Sequence, residues 1–198
     1  MERTEMTNPA ERTDPRVLRT RQFLKEALIE LMEEMSIEKI TVNRLAQRAQ
    51  INRVTFYLHY RDIPDMLEKM ADDMAEEVLE VVREDTDFME AAQQEKWPML
   101  EHLLVHIAEN AKFYKIVLTS RKSTIFTDRL FKLMADIISA RVESRVTAHD
   151  ASEVTVQKDI AVWYGSAALI GTIIAWLRED MPYTPQYLAK QITSLRAN

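Results

Sequence analysis

Glycine is almost missing from this sequence: two residues in 198, beside six prolines. Hairpins and strand-rich folds draw on glycine at their reversals, so a chain this poor in it cannot be built from many tight strand turns. Leu, Ala, Met, Glu and Lys are frequent instead, and these side chains lose little freedom in a helix. The expected class is all-α. Gly165 and Gly171 both lie inside one apolar run, so even they do not mark turns. Cysteine is absent, which removes disulfides, thiol chemistry and cysteine zinc sites together and fits a cytoplasmic chain. No secretory leader pattern opens the sequence and no uncharged run has the length of a membrane span, so no membrane partner is expected.

Charge divides the chain. The net charge is −6, yet residues 1–62 hold 11 Lys/Arg against 10 Asp/Glu, which leaves 15 against 22 for residues 63–198. No acidic residue stands between Lys39 and Arg61, where Arg44, Arg48 and Arg53 also lie. Within that stretch Val42, Leu45, Ala46 and Ala49 recur at helical spacing behind Thr41, a capping residue type. A turn is expected at Gln50 to Asn52, then a second short helix from Arg53 to about His59. Phe56 and Tyr60, four apart, can bury together there, which turns Arg53, Thr55, Tyr57 and His59 outward. Two short helices and a tight turn, with a polar outer face on the second, form the pattern that enters the DNA major groove. An arginine can fork onto guanine, Val and Thr can meet a thymine methyl, and Tyr and His can donate to phosphate. The candidate DNA-binding residues are Thr41, Arg44, Arg53, Val54, Thr55, Tyr57, His59 and Arg61.

The stretch TVNRLAQRAQINRVTFYLHYRDIPDML resembles the DNA-binding segment of the TetR family of bacterial repressors, through Thr41, Val42, Leu45, Ala46, Ala49, Ile51, Tyr57, His59 and Tyr60. The likeness runs from about Arg19 to Leu67 and implies a three-helix helix-turn-helix head on an all-helical body. Three positions depart from the family pattern. Gln50 stands where the turn usually has Gly, Ser36 replaces a second frequent Gly, and Ile63 replaces a Lys that commonly helps hold phosphate. The domains expected are a flexible arm over 1–13, a helix-turn-helix domain over 14–61, and an effector-binding and dimerisation domain over 62–198.

In the body, Asp62 and Pro64 open a long helix to about Asp85, a lever from head to body. Further helices are expected from Met99 to Glu109, through Phe113 to Leu118, from Ile125 to Val146, from Val156 to Leu177, and from Pro185 to about Arg196. On the Val156–Leu177 helix, Ala168, Gly171, Thr172 and Ala175 form a small-residue side, with Gly165 at its edge. Trp163, Ala167, Ile170 and Ile174 form a bulky side. The run YGSAALIGTIIAWLREDMPYTPQYLA also resembles the C-terminal end of one TetR subgroup, in which such a helix pair makes the dimer. That resemblance implies a homodimer interface at Gly165, Ala168, Thr172, Ala175, Leu188 and Ile192. The bulky side, with Trp97, His102, His106, Phe113, Tyr114 and Met134 on neighbouring helices, is the expected lining for a small-molecule effector.

Enzyme chemistry has little to stand on. His102 and His106 share a helical face at metal-ligand spacing, but no third ligand accompanies them, and no phosphate loop or nucleophile motif occurs. No metal, cofactor or catalytic residue is expected. The expected function is a DNA-binding regulator, a repressor released from a palindromic double-stranded operator by its effector. An all-helical interaction protein with degraded DNA specificity is the alternative, motivated by Gln50 and Ile63.

Overall fold

The computed structural model describes residues 14–83, 98–120, 124–148 and 156–197, and every regular element among them is helical. In chain order these are α1 (Pro15–Glu34), a 3₁₀ turn (Ile37–Lys39), α2 (Val42–Arg48), α3 (Arg53–Tyr57), α4 (Ile63–Arg83), α5 (Pro98–Glu109), α6 (Ala111–Thr119), α7 (Ile125–Ala148), α8 (Lys158–Arg178) and α9 (Pro185–Ala197). The expected arm over 1–13 and Trp97 lie outside the described residues. Two compact units form, a head over Met1–Ile63 and a body over Pro64–Asn198.

Each head helix starts where a side chain can take an otherwise unsatisfied amide. The carboxylate of Asp14 accepts from the Arg16 amide at 2.9 Å, with Pro15 behind it at the first helical position. Thr41 Oγ1 accepts from the Arg44 amide at 3.3 Å, and Asn52 Oδ1 accepts from the Val54 amide at 2.9 Å. Leu24, Ala27, Leu28 and Leu31 of α1, Ile40, Leu45 and Ala46, and Phe56 and Tyr60 are all buried. The Leu, Ile and Phe side chains among them contribute roughly 1.5–3 kcal/mol each when removed from water, and they give so small a unit its core.

Between α2 and α3 the chain makes a Schellman turn without glycine. The Ile51 amide donates to the Ala46 carbonyl at 3.0 Å and the Gln50 amide to the Gln47 carbonyl at 3.2 Å. Gln50 itself sits at φ 54°, the left-handed region expected of a position usually held by Gly. The same device closes α8, where Asp180 (φ 56°) and Met181 (φ 54°) turn the chain and the Met181 amide donates to the Trp176 carbonyl at 2.8 Å. Asp180 is paired there with Lys115 of α6, and the indole Nε1 of Trp176 donates to the Tyr183 carbonyl at 2.9 Å.

In the body α8 packs on α6 and α7, and α9 lies against α5. Met66, Met70, Met74 and Val78 of α4, Leu103, Leu104 and Ile107 of α5, Phe113, Tyr114 and Val117 of α6, and Phe126, Leu130 and Met134 of α7 are buried. From α8 the core takes Leu169, Ile170, Ile173, Trp176 and Leu177. This helix is long and apolar enough to cross a membrane by length and composition, contrary to the sequence expectation. One side of it is core. The other side, with Ile160, Trp163, Tyr164, Ala167, Ala168, Gly171 and Ala175, is exposed.

The left-handed turn gives a direct test. Gln50→Val puts a β-branched side chain at positive φ and should lower stability by about 1–2 kcal/mol, whereas Gln50→Gly should be neutral or stabilising by up to about 1 kcal/mol. Urea unfolding of the three proteins, compared by midpoint at constant slope, measures both.

Candidate nucleic-acid interface

The burial of Phe56 and Tyr60, whose rings lie 5.7 Å apart, sets the rotation of α3. Arg53, Val54, Tyr57 and Leu58 consequently point outward, with Val54 66% and Leu58 77% exposed. Thr55 and His59, expected on this outer face, are half-buried at its edge. The expectation had their side of the helix rotated too far, because the direction opposite Phe56 and Tyr60 is that of Val54 and Leu58. Leu58 was missed although the same helical spacing contains it. It continues α3 with right-handed helical angles as the C-cap residue.

Arg53 has two weak contacts within the head. Its Nη1 donates to Asn43 Oδ1 of α2 at 3.4 Å, and its guanidinium carbon stands 5.8 Å from the centre of the Tyr57 ring. Such a cation–π contact at an exposed site contributes about 0.5–1 kcal/mol, enough to bias the rotamer while leaving the fork free to reach a base. Asn43 was not anticipated, since nothing in the linear spacing shows that α2 delivers it to Arg53.

The other arginines of the stretch divide by role. Arg44 Nη1 donates to the Lys39 carbonyl at 2.8 Å and lies 3.6 Å from the Met35 sulfur, so it ties the 3₁₀ turn to α2 while remaining exposed. Arg48 donates to Glu34 at 2.7 Å and Glu30 at 3.2 Å on α1. The hydrogen bond from Arg48 holds the Glu34 carboxyl below its ordinary range, and the two carboxylates raise the Arg48 guanidinium further. Arg48 clamps the head together; Arg44, Arg53 and Arg61 are exposed basic residues of the outer segment. Thr41 is exposed beside them.

In the body, the residues expected around an effector separate into two groups. Phe113, Tyr114, Met134 and Ile170 are buried and His106 is half-buried beside them: His106 Nε2 and Tyr114 Oη are 2.9 Å apart, and the Phe113 ring meets those of Tyr114 and Phe126 edge to face. Burial, with Glu77 adding its charge, pushes the Tyr114 phenol well above its ordinary range, so it is a neutral hydrogen-bonding group. His102, one turn before His106 on the same helix, is exposed, so it does not join this group: the buried side of α5 is set by Leu103, Leu104 and Ile107. Trp163 and Ala167 are exposed as well, the tryptophan by 63%. They cannot line an interior site in the protomer. With apolar residues all round α8, its periodicity did not reveal which side was core, and the core face is centred a quarter turn away, on Leu169, Ile173 and Trp176.

The dimer expectation also separates. Ala168 and Ala175 are exposed and Thr172 and Ile192 half-exposed, while Gly165 and Leu188 are already buried within the protomer. A groove of about 430 Å³ along α7, α8 and α9 is lined by Ile138, Arg141, Tyr164, Gly165, Thr172 and Ile192, among others. Among the described residues no three His, Asp or Glu side chains come together as a metal site.

A capped three-helix head with a basic, acid-free outer segment, on an all-helical body, defines a helix-turn-helix DNA-binding regulator. Residues 94–198 match a TetR family model described as a transcriptional regulator C-terminal region. This chain belongs to the TetR family of DNA-binding transcriptional regulators. It is 23% identical over 173 residues to the uncharacterised HTH-type transcriptional regulator YxbF of Bacillus subtilis strain 168, covering 87% of this chain and 43% of that one. The chain thus spans less than half the length of that relative. Among solved structures, a TetR transcriptional regulator from Streptococcus agalactiae 2603V superposes with TM-score 0.68 at 22% identity, over 92% of this chain and 96% of that one. FadR from Bacillus subtilis, in complex with stearoyl-CoA, gives 0.63 at 16% identity, over 88% and 96%. Both likenesses are of fold.

The arginine roles are separable by substitution. Arg53→Ala should weaken binding to a selected DNA site by roughly 1–3 kcal/mol and relax base preference. Arg48→Ala should lower the unfolding midpoint and change affinity for folded protein little. Fluorescence anisotropy on selected and random duplexes, with thermal unfolding alongside, distinguishes the two.

Proposed function

We propose that this protein is a homodimeric, cytoplasmic repressor whose two heads hold a palindromic double-stranded operator and let go when a small molecule binds the body. The observation that carries the reading is the outer face of α3, where Arg53 is braced by Asn43 and Tyr57 in a segment without one acidic residue. An acidic body repels DNA, so the contact falls to this segment. The alternative, a head that no longer reads DNA, loses its motives. Gln50 adopts the left-handed turn that the family's glycine would serve, and Ile63 is buried at the start of α4, a hydrophobic role at that position.

Dimerisation is read from the exposed side of α8. A Cβ added at Gly171 would meet nothing within the protomer, yet glycine inside a helix costs up to about 1 kcal/mol against alanine. Trp163, Tyr164 and Ile160 flank it, all more than half exposed. A second copy crossing there would use the small residues for close approach and cover the aromatics. The effector is assigned to the body interior around His106, Phe113, Tyr114 and Met134, where a His–Tyr pair is the polar handle of an apolar lining. That the similarly folded FadR forms a complex with stearoyl-CoA supports a small-molecule ligand for this chain.

Footprinting on the DNA upstream of the protein's own gene, with recognition helices spaced about 34–36 Å across a two-fold site, tests the reading. Protection should appear as paired half-sites and disappear with the active compound from a small-molecule thermal-shift panel. Lower transcription on deleting the gene would make it an activator instead. For the dimer, Gly171→Arg and Ala168→Glu should each give a folded monomer at micromolar concentration, by light scattering with unchanged helix content. A dimer that withstands both would place the interface elsewhere.

A further inference from the structure

The outward face of α3 is half aliphatic, which is unusual company for a basic DNA-facing segment. Val54 and Leu58 are four residues apart on one side of the helix, 66% and 77% exposed, and Phe56, Tyr60 and Leu45 already fill the head's core without them. Neither can donate or accept a hydrogen bond. Of the groups that base pairs present in the major groove, the one that offers a protruding apolar surface is the 5-methyl of thymine.

We propose that Val54 and Leu58 are specificity-determining residues that read thymine methyl groups beside the base contacted by Arg53. This rests on the DNA-binding reading above and names what the head selects. Charge complementarity points to DNA as the occupant of this apolar pair. Arg44, Arg53 and Arg61 surround it in sequence, and no Asp or Glu lies between Lys39 and Arg61. The spacing fixes the geometry further. Residues i and i+4 stand one helical turn, about 5–6 Å, apart, so the two side chains can meet methyls one or two base steps from each other. Arg53, drawn toward Asn43 of α2 and lying over the Tyr57 ring, takes the side of the face nearest α2 and leaves the remainder to the aliphatic pair. The expected half-site joins a guanine to neighbouring A·T pairs whose thymines are specified by their methyls.

The test uses the full chain and a random duplex library. Sites are selected with the purified protein, and each thymine of the selected site is then replaced singly by deoxyuridine, which removes the methyl and leaves every hydrogen-bonding edge intact. At one or two thymines per half-site this should weaken wild-type binding about 3- to 10-fold, the scale of one buried methyl group. Leu58→Ala and Val54→Ala, both at exposed positions and so expected to fold, should each bind the thymine duplex more weakly. Each should also lose sensitivity to deoxyuridine at its own position while keeping it at the other. Wild-type affinity indifferent to every deoxyuridine, or variants that keep full sensitivity, overturns the assignment while leaving DNA binding intact. Failure to select any site above random DNA overturns the DNA-binding reading and this inference with it.

Discussion

The outer face of α3 depends on the burial of two rings. α3 has five residues, and nothing in its own hydrogen bonding decides which of them face out. Phe56 and Tyr60 decide it by entering the head core, and from that rotation follow the exposure of Arg53 and Leu58, the reach of Asn43 and the half-covered places of Thr55 and His59. The capping bonds at Thr41 and Asn52 and the turn at Gln50 then set where the helix begins. A shift of one residue in any of these would present a different quartet of side chains with the same composition.

How much of this was legible from the sequence varied with the kind of physics involved. Starts and stops were readable where they rest on local chemistry: Asp14-Pro15 opens α1, Thr41 caps α2, and Gln50 takes positive φ where the family pattern has glycine. Which face of a helix is buried was readable only where polar residues marked the other face. On α4 the acidic residues Asp72, Asp73, Glu76 and Glu77 stand on the exposed side. On α8, with apolar or small residues on every side, no such mark exists, and Trp163 and Ala167 were placed inside when they stand outside. Contacts between helices, such as Arg53 with Asn43 or Arg48 with Glu30 and Glu34, depend on packing angles that no linear spacing carries.

The two ends of the chain use charge in opposite ways. In the head, Arg48 is paired with the α1 carboxylates of Glu30 and Glu34, which ties α2 to α1. The body keeps its negative excess, which suits solubility and discourages sliding contact with DNA away from the head.

The shortness of α3 has a consequence of its own. Five residues are far below the length at which a helix persists in water alone, roughly 12–15 residues. The proposed recognition element is therefore a property of the folded head rather than of its own sequence: a peptide with these residues would carry the side chains without their arrangement. Sequence preference and head folding are one cooperative quantity. As a head is loosened by heat or by a core substitution, its basic residues retain their charge and their general attraction to phosphate after the ability to tell one site from another has gone. Discrimination is the more fragile of the two, since it alone needs the rings to stay buried.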